Sequence, residues 1–236
     1  MNLINAAATF VGEAQTETGV RCMEMKIPVQ GSKAVEVPVF LIPTRSSGET
    51  FVPEAYEKGC TILFTGRLYP CKSDNRMYVA PTQPLQTVPN NTVLNQVSLA
   101  GGIGFIAEER REDLFNCGLL CQAPPQKLIG HTWDDSLPFR LEAWGDDAAR
   151  MRKFLYKGRQ IALTASLRFE TWNSKDGPRA AYKIRVRSGM YSFFGKNKAN
   201  ANPIPVQQQD PAKSDAEPAL ATVIPKPVEK GDEIPF

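Results

Sequence analysis

Residues 139–182 read FRLEAWGDDAARMRKFLYKGRQIALTASLRFETWNSKDGPRAAY, and their alternations decide the architecture. A strand-like run over 137–144 ends at Gly145. An amphipathic piece over 146–155 follows, with Asp146 or Asp147 placed to cap a helix and basic residues in its later turns. Lys157-Gly158 closes it. Residues 161–169 then alternate as a half-buried strand. Ile161, Leu163, Ala165, Leu167 and Phe169 take one face; Gln160, Ala162, Thr164, Ser166 and Arg168 take the other, whose parity Trp172 continues. Residues 174–178, SKDGP, make a hairpin loop. In the strand expected over 181–187, Lys183, Arg185 and Arg187 alternate with Tyr182, Ile184 and Val186.

Side by side, these strands present Arg140, Trp144, Arg168, Trp172, Lys183, Arg185 and Arg187 on one surface. A basic surface with indole rings set into it suits a flexible polyanion with stackable bases. Around it, Lys153, Lys157, Arg159, Lys175 and Arg179 extend the expected nucleic-acid site. Residues 140–190 hold twelve Lys or Arg against five Asp or Glu, whereas residues 1–90 balance at eight against eight. An overall charge of +3 therefore conceals a strongly basic centre, and the partner expected there is anionic.

Several ordered motifs carry a family resemblance. Phe139-x-Leu141-x-x-Trp144-Gly145-Asp146-x-Ala148, then Phe154-Leu155-x-Lys157-Gly158, then a strand reaching Trp172 and a hairpin, resemble bacterial single-stranded DNA-binding proteins. So does Asn95-Gln96-Val97-x-Leu99-x-Gly101 upstream, which resembles the opening of that family's OB fold. The final residues, Asp232-Glu233-Ile234-Pro235-Phe236, resemble the acidic tip through which the family recruits other proteins. The likeness spans residues 94–191 plus the tail. It implies a non-catalytic protein that coats single-stranded DNA without sequence preference. It also implies a tip that docks replication, recombination and repair proteins, with Asp232 and Glu233 meeting basic residues. Family members with one OB fold per chain form tetramers and a branch with two forms dimers, so a homodimer of a bacterial or phage-encoded, cytoplasmic and nucleoid-associated protein is expected. An OB module for RNA or for a replication complex is the alternative.

The first ninety residues can be laid over the second half. Residues 5–12 (NAAATFVG) parallel 95–102 (NQVSLAGG) at an offset of 90, and 58–68 (KGCTILFTGRL) parallel 157–167 (KGRQIALTASL) at an offset of 99. An internal duplication follows. The fold class expected is all-β: two tandem OB folds, each a five-stranded Greek-key barrel, over 1–86 and 94–195, joined by a linker at 87–93 and followed by a disordered tail over 196–236. First-half strands are expected near 3–13, 22–29, 35–42, 61–69 and 77–82, with a short helix over 51–58. Arg67, Tyr69, Lys72, Arg76 and Tyr78 are its candidate binding residues, the two tyrosines being equally readable as packing residues. Trp133, in a long loop, either stacks on a base or pins that loop.

The remaining signals point away from catalysis and cofactors. Gly101-Gly102-x-Gly104 lacks the Lys-Ser/Thr of a phosphate loop, so a bulged, sharply bent strand is expected instead. Cys117, Cys121 and His131 lack metal-site spacing, and five cysteines without a CxxC pair read as reduced thiols. A single histidine supplies little acid–base machinery. No apolar run approaches the ~18 residues of a membrane helix.

Overall fold

A computed structural model describes residues 1–29, 36–44, 53–108, 111–123, 136–175 and 177–195, and among these described residues lie eleven strands and one α-helix. In the first half, β1 (Asn2–Gln15), β2 (Arg21–Pro28), β3 (Glu36–Leu41), β4 (Thr61–Cys71) and β5 (Arg76–Pro81) pair in the ring β1-β2-β3-β5-β4 and back to β1. In the second half, β7 (Leu94–Ile106), β8 (Leu114–Gln122), β9 (Ser136–Trp144), β10 (Gln160–Ser174) and β11 (Gly177–Phe194) close the corresponding ring. The β3–β5 and β9–β11 pairs are parallel and the others antiparallel, the order of an OB barrel. A short strand, β6 (Gln86–Val88), adds to β4, so part of the expected linker belongs to a sheet.

Each barrel closes through a long first strand that bends to serve two neighbours. β7 pairs with β10 over Val97–Gly102, then with β8 from Gly102 onward, and a bulge falls between Ile103 and Phe105. Glycine is required where the backbones converge: a Cβ on Gly101 would run into the Leu120 carbonyl oxygen. The bulged strand expected from the glycine run is therefore present.

The hydrogen bonds correct the register of the duplication. Phe10 N donates to Cys60 O (2.9 Å) and Gly59 N to Phe10 O (2.8 Å); Ile103 N donates to Arg159 O (2.9 Å) and Gly158 N to Ile103 O (2.7 Å). Phe10 thus corresponds to Ile103, an offset of 93 rather than 90. Two asparagines agree. Asn2 Nδ2 donates to Leu68 O (2.6 Å) and its Oδ1 accepts from Leu68 N (3.2 Å), while Asn95 makes the same pair with Leu167, at 2.9 Å each. The small residues of 5–12 had aligned by letter; backbone pairing sets the true register three residues away.

At that offset Ile4 and Val97 are equivalent, and they face each other in the antiparallel β1–β7 ladder, which runs from Asn2↔Leu99 to Ala7↔Leu94. The two barrels therefore meet through a local two-fold, each giving the same strand. Their buried side chains join in one apolar cluster that includes Ile4, Phe64, Val97, Leu99 and Leu167. Tyr182 Oη donates to Pro38 O (2.9 Å) and Asn75 Nδ2 to Ala180 O (3.2 Å), which tie β11 to the first barrel.

Local differences have physical reasons. The helix α1 (Asp146–Phe154) is capped by Gly145 with no side-chain bond. Asp147 instead accepts from Tyr191 Oη (2.9 Å) and Gly189 N (3.3 Å), turned toward β11. β11 runs past the expected Arg187 because residues 187–190 bulge out opposite Thr164 before pairing resumes at Tyr191↔Leu163. Gly189, at φ 68°, permits that excursion. The first-half helix reduces to a 3-10 turn, Pro53–Ala55, among the described residues.

Candidate nucleic-acid interface

Alternation along β9, β10 and β11 builds the site. Burial over β10 follows the expected parity, with Ile161, Leu163, Ala165 and Leu167 inside. On the outer parity Trp172 is 41% exposed and Trp144 37%. Trp172 lies opposite Arg179 at the hairpin tip, beside exposed Lys175. Among the described residues no aromatic ring packs on its ring and no cation stacks over it, although Arg179 is its cross-strand partner.

Trp144 is differently placed. The Arg111 guanidinium carbon lies 5.1 Å from its ring centroid and that of Arg185 lies 5.6 Å away. Both cations are held by carboxylates: Arg111 by Asp113 (2.7 Å) and Arg185 by Glu142 Oε1 (2.6 Å). A base approaching this indole meets guanidinium groups already at the ring.

The basic residues divide into paired and unpaired. Lys183 Nζ lies 2.5 Å from Glu170 Oε2 and 3.3 Å from Glu142 Oε2, and Arg185 Nη2 is 3.8 Å from Glu170 Oε1. Glu142 is wholly buried. Burial acts to raise its pKa, but the bond and charge of Arg185, with Lys183, outweigh this and hold the carboxyl below the usual range. Arg187 donates to the Asn95 carbonyl (3.0 Å). Arg168 makes no hydrogen bond or ion pair with any described residue; burial, then Arg185, push its pKa down. Arg140 is half-buried on β9.

Other candidates fall elsewhere. Lys153 and Lys157 are exposed near the start of β10, twelve or more residues from Trp172, with Lys153 over the Phe154 ring (5.5 Å). Arg159 is 7% exposed, donates to Phe154 O (2.6 Å) and lies over Phe193 (5.1 Å). It braces an aromatic cluster rather than the tryptophan face. In the first barrel Arg67 and Lys72 are exposed, but Tyr69 is 2% and Tyr78 0% exposed. Tyr78 donates to Asp74, so neither tyrosine ring offers a face to a base. Arg76 is spent on Gln15 O (2.8 Å) and the Phe40 ring (4.5 Å). Trp133 and the tip Asp232–Phe236 lie outside the described residues, as does the rest of the tail.

Sequence reasoning missed Glu142 and Glu170, although both share parity with the residues it selected. Arg111 carried no local signal, since only the fold brings it to Trp144. Burial pushes the Cys117 and Cys121 thiols up to about 12, as expected of inert core cysteines.

No protein-family model matches the sequence, and no curated protein matches it. Among solved structures, the wild-type single-stranded DNA-binding protein of Thermus aquaticus is similar at a TM-score of 0.54 and 16% identity, covering 86% of this chain and 97% of that one. A deletion variant of the Thermus aquaticus protein gives 0.54 and 15%, over 86% and 98%. A Plasmodium falciparum single-stranded DNA-binding protein solved with DNA gives 0.37 and 18%, over 45% and 100%. The Thermus aquaticus likeness is one of fold.

Proposed function

We propose that this chain is a non-catalytic protein that binds single-stranded DNA with little sequence preference. The observation that carries the reading is the exposed Trp172 at a hairpin tip beside Lys175 and Arg179, continuous with Arg168 along β10. An exposed indole stacks on any base and the flanking cations meet phosphates, so the surface grips a strand without reading it. Similarity of fold to the Thermus aquaticus protein supports the same reading. Fluorescence titration with poly-dT, poly-U and duplex DNA tests it. Quenching and tight, salt-sensitive binding by poly-dT are expected; equal preference for poly-U would favour the RNA alternative, and no quenching by either would overturn the proposal.

The residue ranges 1–86 and 94–195 are proposed as the two OB units, joined through 87–93. The assembly proposed is a cytoplasmic homodimer bringing four barrels together, and light scattering at the monomer mass would refute it. The tip Asp232–Phe236 is proposed to recruit replication, recombination and repair proteins. A pull-down comparing the full chain with one lacking residues 232–236 should lose partners while retaining DNA binding; identical partner sets would count against that role.

A further inference from the structure

At the seam of the two barrels the tryptophan face continues into a cavity of about 210 Å³, lined by Val93, Asn95, Ser166, Arg168, Arg185 and Arg187. No carboxylate belongs to that lining. Two of its guanidinium groups are engaged, Arg185 by Glu142 (2.6 Å) and Arg187 by the Asn95 carbonyl (3.0 Å). Arg168 is not. Its Nε is sealed from solvent without a hydrogen-bond partner. A guanidinium does not shed its proton near neutrality, so this half-buried cation keeps its charge, with Glu142 and Glu170 acting on it only through space and no described group bonded to its Nε. An anion entering the cavity would meet a guanidinium that no described carboxylate holds.

The internal two-fold supplies a comparison within the same molecule. At the offsets the hydrogen bonds define, Asn95, Ser166 and Arg168 correspond to Asn2, Arg67 and Tyr69, and these three residues line a cavity of about 420 Å³ that Gln122 and Ala123 of the second half complete. The fold therefore makes the hollow twice. Where the second half places a half-buried cation, the first places a tyrosine that is 2% exposed. The concentration of arginines is a property of this one site and not of the barrel.

We propose that the Arg168 cavity is a phosphate seat, taking one phosphate group from a nucleic-acid backbone and inorganic phosphate when no strand is present. A planar guanidinium fork matches two phosphate oxygens, and the Ser166 hydroxyl and the other two arginines line the same cavity. The backbone half of this statement rests on the function proposed above; the inorganic half does not. Phosphate then competes with the strand by occupying the seat, beyond its contribution to ionic strength.

The test uses the full chain. Oligo-dT affinity is measured in chloride and in phosphate at equal ionic strength, beside thermal melts in the same two buffers. Phosphate should weaken oligo-dT binding several-fold more than chloride and should raise the melting temperature. Arg168→Gln should erase both differences and shallow the salt dependence by about 0.7 in log–log slope, the share of one phosphate on a single strand. Equal behaviour of the two anions on wild-type protein overturns the seat even where oligo-dT binds well. If oligo-dT fails to bind but phosphate still raises the melting temperature in an Arg168-dependent way, the seat stands and the proposed function falls.

Discussion

The two exposed tryptophans make different predictions because their rings have different neighbours. Trp172 is bare, so Trp172→Ala should cost roughly 1–3 kcal/mol of oligo-dT affinity, the worth of one lost stack. Trp144 already has Arg111 and Arg185 at its ring, and a base gains less there. Titrating the two single-tryptophan-replaced proteins should assign most of the quenching to Trp172; equal shares would overturn this difference. Beneath them, Glu142 couples the face to stability. Its ordinary pKa is 4.5 and its folded value is lower, so the folded state binds its proton more weakly than the unfolded chain does. The stability it supplies is complete above about pH 4.5 and drains away as pH falls through the lowered value. Glu142→Ala should cost about 3 kcal/mol at neutral pH, the lower end for breaking a buried pair, because Lys183 and Arg185 reach solvent. Urea unfolding against pH checks both statements: the difference between variant and wild type should shrink in acid.

At the scale of elements, the long alternating runs were legible and the corrections were not. α1 could be placed from sequence to within a residue and the bulge of β7 read from its glycine run, because periodicity and glycine punctuation act locally. The 93-residue register could not, since it depends on which backbone groups pair across the barrel. Glu142 and Glu170 were legible by parity and went unweighed, whereas Arg111 and the burial of Tyr78 are products of tertiary contact. The asparagine clips show what such contact demands. Where β1 and β7 leave the ladder, Leu68 and Leu167 lose their backbone partners, and an amide side chain replaces both bonds. Asn95→Ala orphans a buried N–H and C=O, at roughly 1–3 kcal/mol for each group. Asn2→Ala should cost less, its clip being only part-buried. Thermal melts of the two variants should rank in that order, and the reverse ranking would refute the equivalence of burial and cost. Gly101→Ala perturbs the backbone itself, since its new methyl meets the Leu120 carbonyl and not a side chain that can turn aside; a loss of about 3 kcal/mol, the upper end for overpacking, is expected.

Across the whole molecule, the strand that closes each barrel also joins it to the other. Ile4 faces Val97 at the centre of a six-pair ladder, and the apolar cluster runs through both halves without a break. Connectivity through residues 89–92 is therefore not what holds the halves together. The backbone hydrogen bonds of β1 and β7 and the shared core do that, helped by Tyr182 to Pro38 and Asn75 to Ala180. A protease site inserted between Asn90 and Asn91 should be cut without separating the pieces, which should co-elute under native conditions and part only in denaturant. Such a ladder exposes two apolar strand faces if it opens, so the cut protein should still melt in one cooperative transition, lowered only by the lost tether. Fragments that elute apart, or two separate transitions, would mean that the barrels are independent beads on a linker.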